Sequence, residues 1–327
     1  MKSTELDHQL RVYSDITQLI ASPQNPTPLV RLNRINPNKD FQIYLKLERY
    51  NPFGSVKDRI AAEMLKALEI EDRTVVEPSS GNTGIALACI ANAWGIPVEV
   101  VIPEKIPEEK KVMLRFLGVK VTETDDALCP RFPSEGARGL VNALINSPAT
   151  KDSYVSPNQY ENKLNVQAHY QTTGPEIWQQ TQGKINYFFA GFGTCGTITG
   201  IGRYLKEKNP KIKIIGVEPS SADHKLPGLK RLTGLDEEYI PKILDESVID
   251  DTVEVTDENA YNTAVELARK DGIPVGPTTG AILYVALQYA KLNTGLAVGI
   301  SPDDAFKYSS FYEYVLKTES QSDGGGI

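Results

Sequence analysis

An open α/β sheet architecture is the fold class that this sequence predicts, and three observations carry it. Short β-rich runs alternate with helical patterns almost from end to end. Several of the runs, YFFA and KIIGV among them, are continuously apolar instead of alternating, as parallel strands covered on both faces must be. The segment TGIALACIANAW, residues 83–94, is apolar nearly all round and reads as a buried helix.

Taken in order, strands are expected at 42–48, 74–77, 98–102, 120–124, 185–190, 212–218 and 252–256. Helical spacing fills the intervals; in 57–73, Ile60, Met64, Leu65 and Leu68 fall on one face. No repeat period is visible. Pro- and Asn-rich stretches lie at 23–28 and 156–158, and the second reads as a domain hinge. The polar, glycine-rich end SQSDGGGI, residues 320–327, reads as a flexible tail.

Composition narrows the class. With 327 residues, 40% apolar and 24% charged, the chain is an ordinary globular one of about two domains. No stretch approaches a membrane span, and the first 25 residues lack the apolar core of a secretory signal. Cys89, Cys129 and Cys195 are odd in number and widely spaced, which points to reduced thiols in a cytoplasmic protein with neither disulfides nor a metal site. A net charge of −7 disfavours nucleic acid as a partner, though it leaves room for a local basic patch.

Four segments carry chemistry. In Asn51-Pro52-Phe53-Gly54-Ser55-Val56-Lys57-Asp58-Arg59, Lys57 falls in the first turn of a helix, the unfavourable end for a cation. It is either a solvated lysine paired with Asp58 or an amine with a lowered pKa, suited to attack on a carbonyl. In Glu77-Pro78-Ser79-Ser80-Gly81-Asn82-Thr83-Gly84, hydroxyls and amides at a helix start form either a carboxylate cradle or simple caps. Gly191-Phe192-Gly193-Thr194-Cys195-Gly196-Thr197 matches a dinucleotide fingerprint, with Glu218 as its ribose acid; the threonines and the late position favour a lone phosphate instead. Gly276-Pro277-Thr278-Thr279-Gly280-Ala281 offers hydroxyls for a ring nitrogen or for capping.

Together these segments resemble the cysteine synthase and cystathionine β-synthase family of pyridoxal-phosphate enzymes, fold type II, like the tryptophan synthase β chain. TPLVRLNRI, LERYNPFGSVKDR, EPSSGNTGIALA, TTGPEIW, GFGTCGTITGIGRYLKEKNP, GVEP and GPTTGA appear in family order, over residues 25–314. The resemblance implies two open twisted sheet domains flanked by helices. Residues 1–158 would form the N-terminal region, with 51–155 as the smaller, closing domain and about 26–50 crossing to the larger one. Residues 159–319 would bind the cofactor phosphate. It implies that Lys57 forms the imine with pyridoxal 5'-phosphate and moves the α-proton. Asn82 would bond the ring hydroxyl, and Ser79, Ser80, Thr83 and Gln159 would hold the substrate carboxylate. Gly193, Thr194, Cys195, Gly196 and Thr197 would hold the phosphate, and Thr278 would face the pyridine nitrogen. A neutral hydroxyl there does not keep that nitrogen protonated, so β-elimination through an α-aminoacrylate, followed by β-addition of sulfide, is the implied chemistry. A homodimer is implied as well.

Departures from the family pattern guide the substrate. Ser79-Ser80 replaces a threonine-serine pair, Cys195 stands where a glycine is usual, and SPDDAFKYSSFY is altered around Asp304. After Glu218, a segment carrying His224, Lys225, Lys230 and Arg231 replaces a short glycine-rich loop, and PGLKR resembles the PGIRR of phosphoserine-using sulfhydrylases. Arg231, helped by Lys230 or Lys225, is therefore expected to bind the phosphate of O-phosphoserine, with O-acetylserine the next donor. A solvated basic loop answering Asp236-Glu237-Glu238 is the bland alternative. The terminal Ile327 suggests a tail that visits an active site, against simple disorder. Two rival functions are replacement of serine's hydroxyl by a thiol, as in cystathionine β-synthase, and a non-catalytic regulatory protein on the same fold.

Overall fold

The structure is a computed structural model and describes residues 11–79, 81–104, 106, 108–125, 135–313 and 316. It is an α/β protein with two open sheets flanked by helices. The first sheet has six strands in the order β1-β2-β10-β7-β8-β9: β1 (Leu29–Arg31), β2 (Phe41–Leu47), β7 (Tyr187–Gly191), β8 (Lys213–Pro219), β9 (Asp251–Val255) and β10 (Gly295–Ser301). All neighbours are parallel except β1, which runs against β2 with Val30 opposite Leu45. The second sheet has four parallel strands, β5-β4-β3-β6: β3 (Thr74–Pro78), β4 (Val98–Pro103), β5 (Lys120–Thr124) and β6 (Tyr154–Val155).

The helices follow from the apolar pattern. α1 (Lys57–Lys66) buries Ile60, Ala61, Met64 and Leu65. It ends seven residues short of the expected boundary, with Ala67 as its C-cap, and the chain turns into β3 through Glu71 at a positive φ of 49°. α2 (Asn82–Trp94) is the apolar helix anticipated above; it packs on the four-stranded sheet and ends on Gly95 in the left-handed conformation. α3 (Glu108–Phe116) and α4 (Gly136–Asn146) complete that sheet's cover. α5 (Lys163–Ala168) passes through a π-helical turn, His169–Thr173, into α6 (Gly174–Gln180). α7 (Gly196–Lys208), α8 (Asp257–Asp271) and α9 (Pro277–Ala290) flank the six-stranded sheet.

Three strands escaped the sequence pattern. β1 and β6 are too short to show a period. β10, GLAVGIS, is diluted by glycine, and Gly299 packs tightly: a Cβ would lie 3.0 Å from Ile282 of α9 and 3.3 Å from Leu45 of β2, so those side chains would have to shift slightly. Two large apolar cores cover the faces of the six-stranded sheet, and a third lies beneath α1 and α2. Fully burying each Leu, Ile or Phe in them contributes about 1.5–3 kcal/mol. The loops after β2, β3, β7 and β10 emerge from carboxyl ends of strands, where open α/β sheets bind their ligands.

Candidate active site

Two adjoining chambers lie among these loops, sharing Lys57, Asn82, Gly193, Thr194, Gly228 and Tyr308 in their walls. Lys57 opens α1 and its side chain points inward; the surface it keeps open faces the chambers. It is not the solvated lysine paired with Asp58. Asp58 turns away, accepting from the Phe53 N–H at 2.7 Å and the Ser55 hydroxyl at 3.1 Å. Burial lowers the pKa of Lys57, with Asp303 and Cys195 pulling weakly the other way. Among the described residues, no carboxylate forms an ion pair with it.

One wall is the N-terminus of α7. Cys195 caps it in the left-handed conformation, φ 71°, which a glycine adopts without strain. Its thiol is buried and pushed up to about 12, mainly by burial, which disfavours the reactive thiolate. Gly193 and Gly196 leave no room for side chains: a Cβ would lie 2.5 Å from the Gly228 carbonyl oxygen and 1.9 Å from Asn165 Oδ1. Backbone amides and the hydroxyls of Thr194 and Thr197 therefore line the chamber. Thr278, at the start of α9, closes it and donates to the Pro227 carbonyl at 2.9 Å.

Asn82 is held from both sides. Its Nδ2 donates to Asp303 Oδ2 at 2.6 Å, and its Oδ1 accepts from Lys307 Nζ at 3.2 Å. Asp303 also accepts from the Tyr308 hydroxyl at 2.5 Å. Asp303, Lys307 and Tyr308 were missed by the sequence reading; the signal was present in SPDDAFKYSSFY, where the altered residue drew attention to Asp304 instead.

The outer chamber brings Ser79, Thr83 and Gln159 together. Ser79 Oγ accepts from the Gly84 N–H at 2.9 Å, and Thr83 Oγ1 donates to Gln159 Oε1 at 2.7 Å. Buried Glu77 ties the two loops, accepting from the amides of Asn158 and Gln159 at 3.0 and 3.1 Å. Ser80, Cys129 and the tail 320–327 lie outside the described residues.

Arg231 is not brought to the site. It does not line either chamber, and its guanidinium donates to Glu254 on β9 at 2.7 Å. The neighbouring Lys230 does line the outer chamber, with Nζ 4.1 Å from the centre of the Tyr160 ring, and Lys110 of α3 joins it there. Alternation along the loop separates the two basic residues. The Lys230 amide donates to the Phe192 carbonyl at 2.7 Å, and buried Glu218 accepts from the amides of Leu232 and Thr233 at 2.7 and 3.1 Å. Glu218 thus anchors a loop, and the dinucleotide reading has no ribose acid.

The chambers fit pyridoxal phosphate: a desolvated amine faces a helix N-terminus that can take a phosphate, with a neutral hydroxyl between the walls. Comparison with known proteins agrees, since the pyridoxal-phosphate dependent enzyme family model matches residues 20–299. The chain belongs to that family. Within it, the chain is 42% identical to a cysteine synthase of Aquifex aeolicus over 86% of this chain and 88% of the relative. It is 35% identical to an O-acetylserine dependent cystathionine beta-synthase of Bacillus subtilis, over 92% and 97%. Among solved structures, a hydrogen sulfide-producing enzyme of Fusobacterium nucleatum superposes with a TM-score of 0.81 at 34% identity, covering 91% of this chain and 98% of that one. The protein is a pyridoxal-phosphate dependent enzyme of the cysteine synthase type, with the fold type II architecture. Among the described residues, no helix is long and apolar enough to cross a membrane.

Proposed function

We propose that the protein makes L-cysteine by replacing the Cβ substituent of an activated serine with sulfide, O-phosphoserine being the favoured donor and O-acetylserine the next. One observation carries this reading: the chamber around desolvated Lys57 opens into an outer chamber lined, among the described residues, by Lys57, Lys110 and Lys230 and by no Asp or Glu. In a protein of net charge −7, such a lining suits a polyanionic amino acid.

Bound pyridoxal phosphate supplies an aldehyde for an amine and a ring that withdraws electrons from Cα. Lys57 would be the amine that holds it through Nζ and would later take the Cα proton of the substrate, a task its lowered pKa suits. Thr194, Thr197 and the amides of residues 193–197 would receive the phosphate, and Asn82 has one Nδ2 hydrogen left that it would offer to the ring. Thr278, a neutral hydroxyl, would face the ring nitrogen and leave it without a charged partner. Ser79, Thr83 and Gln159, with Ser80 beside them in sequence, orient the substrate carboxylate. Lys230 and Lys110 neutralise the departing group as it leaves Cβ.

The similarity to a cystathionine beta-synthase keeps a second reading in view, in which a thiol amino acid replaces sulfide. The reading also includes a cytoplasmic homodimer whose smaller domain, residues 51–155, closes over the substrate. The test is steady-state turnover of O-phosphoserine, O-acetylserine and serine with sulfide or homocysteine. The highest kcat/KM is expected for O-phosphoserine with sulfide; preference for O-acetylserine overturns the donor, and preference for homocysteine overturns the nucleophile.

A further inference from the structure

Behind the α7 wall the chain departs from regular helix. His169–Thr173 form a π-helical turn, a geometry that recurs at functional sites. The turn places Thr173 Oγ1 2.9 Å from His169 Nδ1, while Nε2 on the far side of the ring lies 3.2 Å from Thr197 Oγ1. His169 is fully buried. Burial, with Arg59 adding to it, pushes the imidazole down to about 3, so it is neutral, with one donor and one acceptor nitrogen.

Thr173 decides which nitrogen is which. Its hydroxyl hydrogen has two acceptors in reach: His169 Nδ1 at 2.9 Å and Thr172 Oγ1 at 3.5 Å. The second is longer than an ordinary O–H···O bond. Thr172 Oγ1 already accepts from the Arg59 guanidinium at 3.1 Å. Thr173 therefore donates to Nδ1, the ring hydrogen sits on Nε2, and Nε2 donates to Thr197. The hydroxyl hydrogen of Thr197 is then left for the chamber that Thr197 lines.

We propose that His169 is a positioning residue: as its Nε2–H tautomer it turns the Thr197 hydroxyl into a donor for the cofactor phosphate. The opposite tautomer would take that hydrogen and present oxygen lone pairs to a dianion. The inference rests on the reading of residues 193–197 as the phosphate-binding loop.

The tautomer can be read without any activity. The protein has three histidines, so ¹⁵N-histidine labelling of the holoenzyme gives three ring systems, and H169Q identifies the one of interest. An Nε2-protonated neutral ring is expected across pH 6–8; an Nδ1-protonated or cationic ring overturns the proposal. Pyridoxal phosphate is then titrated into the cofactor-stripped protein. T173V and T197V should each raise Kd about tenfold, the scale of one hydrogen bond to a charged group. T173S, which keeps the donor, should match the wild type. Weakened binding in T197V with none in T173V overturns the His169 relay alone, whereas unchanged binding in T197V also removes the phosphate-loop reading beneath it.

Discussion

Lys57 and Arg59 leave the first turn of α1 on different sides, and their surroundings treat the two positive charges in opposite ways. Arg59 enters a buried ionic cluster. Its Nε meets Glu48 Oε2 at 2.6 Å, NH1 meets Glu176 Oε1 at 2.5 Å, and Lys46 adds a second contact to Glu176 at 2.6 Å. Thr27 and Asn51 donate to the remaining lone pairs of Glu48 at 2.7 and 2.9 Å. Burial alone would raise the pKa of Glu48, but the adjacent guanidinium overcomes this and holds it at about 2. Lys57 is enclosed with no ion pair among the described residues, and burial outweighs the pull of Asp303 and lowers its pKa. The contrast teaches that position in a helix does not decide a buried cation's role; the carboxylates facing it do.

The sharpest way to break this contrast is to remove each cation in turn. Lys57→Ala should cut kcat about 10³-fold or more, the scale of a lost general base. Its urea midpoint, measured without cofactor, should stay at the wild-type value, because no paired charge is left behind. Arg59→Met should do the reverse to stability. Stranding Glu48 and Glu176 should cost about 3–5 kcal/mol in urea unfolding. A Lys57→Ala protein as destabilised as Arg59→Met would show that the two sites are alike.

Acid separates the surroundings further. The folded pKa of Glu48, about 2, lies below its unfolded value of 4.5, so its contribution is present above pH 4.5 and lost as pH falls towards 2. His169, facing Arg59, Glu48 and Lys57, is depressed from 6.5 to about 3. Below pH 6.5 the unfolded chain binds a proton that the folded ring refuses, so stability falls from there downward. Between pH 6.5 and 4.5 only the histidine of this pair changes. His169→Gln should therefore be less acid-sensitive than the wild type by about 2 kcal/mol across that window. Equal slopes in urea titrations at pH 6.5, 5.5 and 4.5 would count against a neutral buried ring.

The smallest effects concern the loop after β8. Lys230→Gln should raise KM for O-phosphoserine about tenfold and move O-acetylserine less, the scale of one charge-assisted bond. Arg231→Ala, whose guanidinium is committed to Glu254, should leave both donors nearly unchanged. If Arg231→Ala alone discriminates the donors, the side chain must abandon Glu254 when substrate binds.

Much of the fold was legible because its signals are local. Continuous apolar runs and the all-apolar segment before Gly95 marked the strands and α2 directly. β10 was not legible: its glycines weaken strand propensity, and the tight approach of α9 and β2 to Gly299 is a tertiary feature. At the site, the ordered glycine- and hydroxyl-rich segments identified the walls. Of the residues that steady those walls, Asp303, Lys307 and Tyr308 lie in SPDDAFKYSSFY, where the altered Asp304 obscured them, while Asn165 and His169 are ordinary polar residues with no motif of their own.

What the sequence determined by itself was the sheet architecture, the family and the list of loops that could bind anions, because each depends on periodicity or on residues fixed by backbone geometry. Which basic residue of the loop after β8 faces the chamber, which of two neighbouring cations enters an ion pair, and which hydroxyl lies beside the buried imidazole were decided only in three dimensions. A side chain's partners come from elements distant in sequence. Arg231 is drawn off by Glu254 of β9, and Arg59 is satisfied by Glu48 and Glu176 from two other elements. Desolvation, which makes those pairings strong and their absence at Lys57 consequential, exists only once the chain is packed.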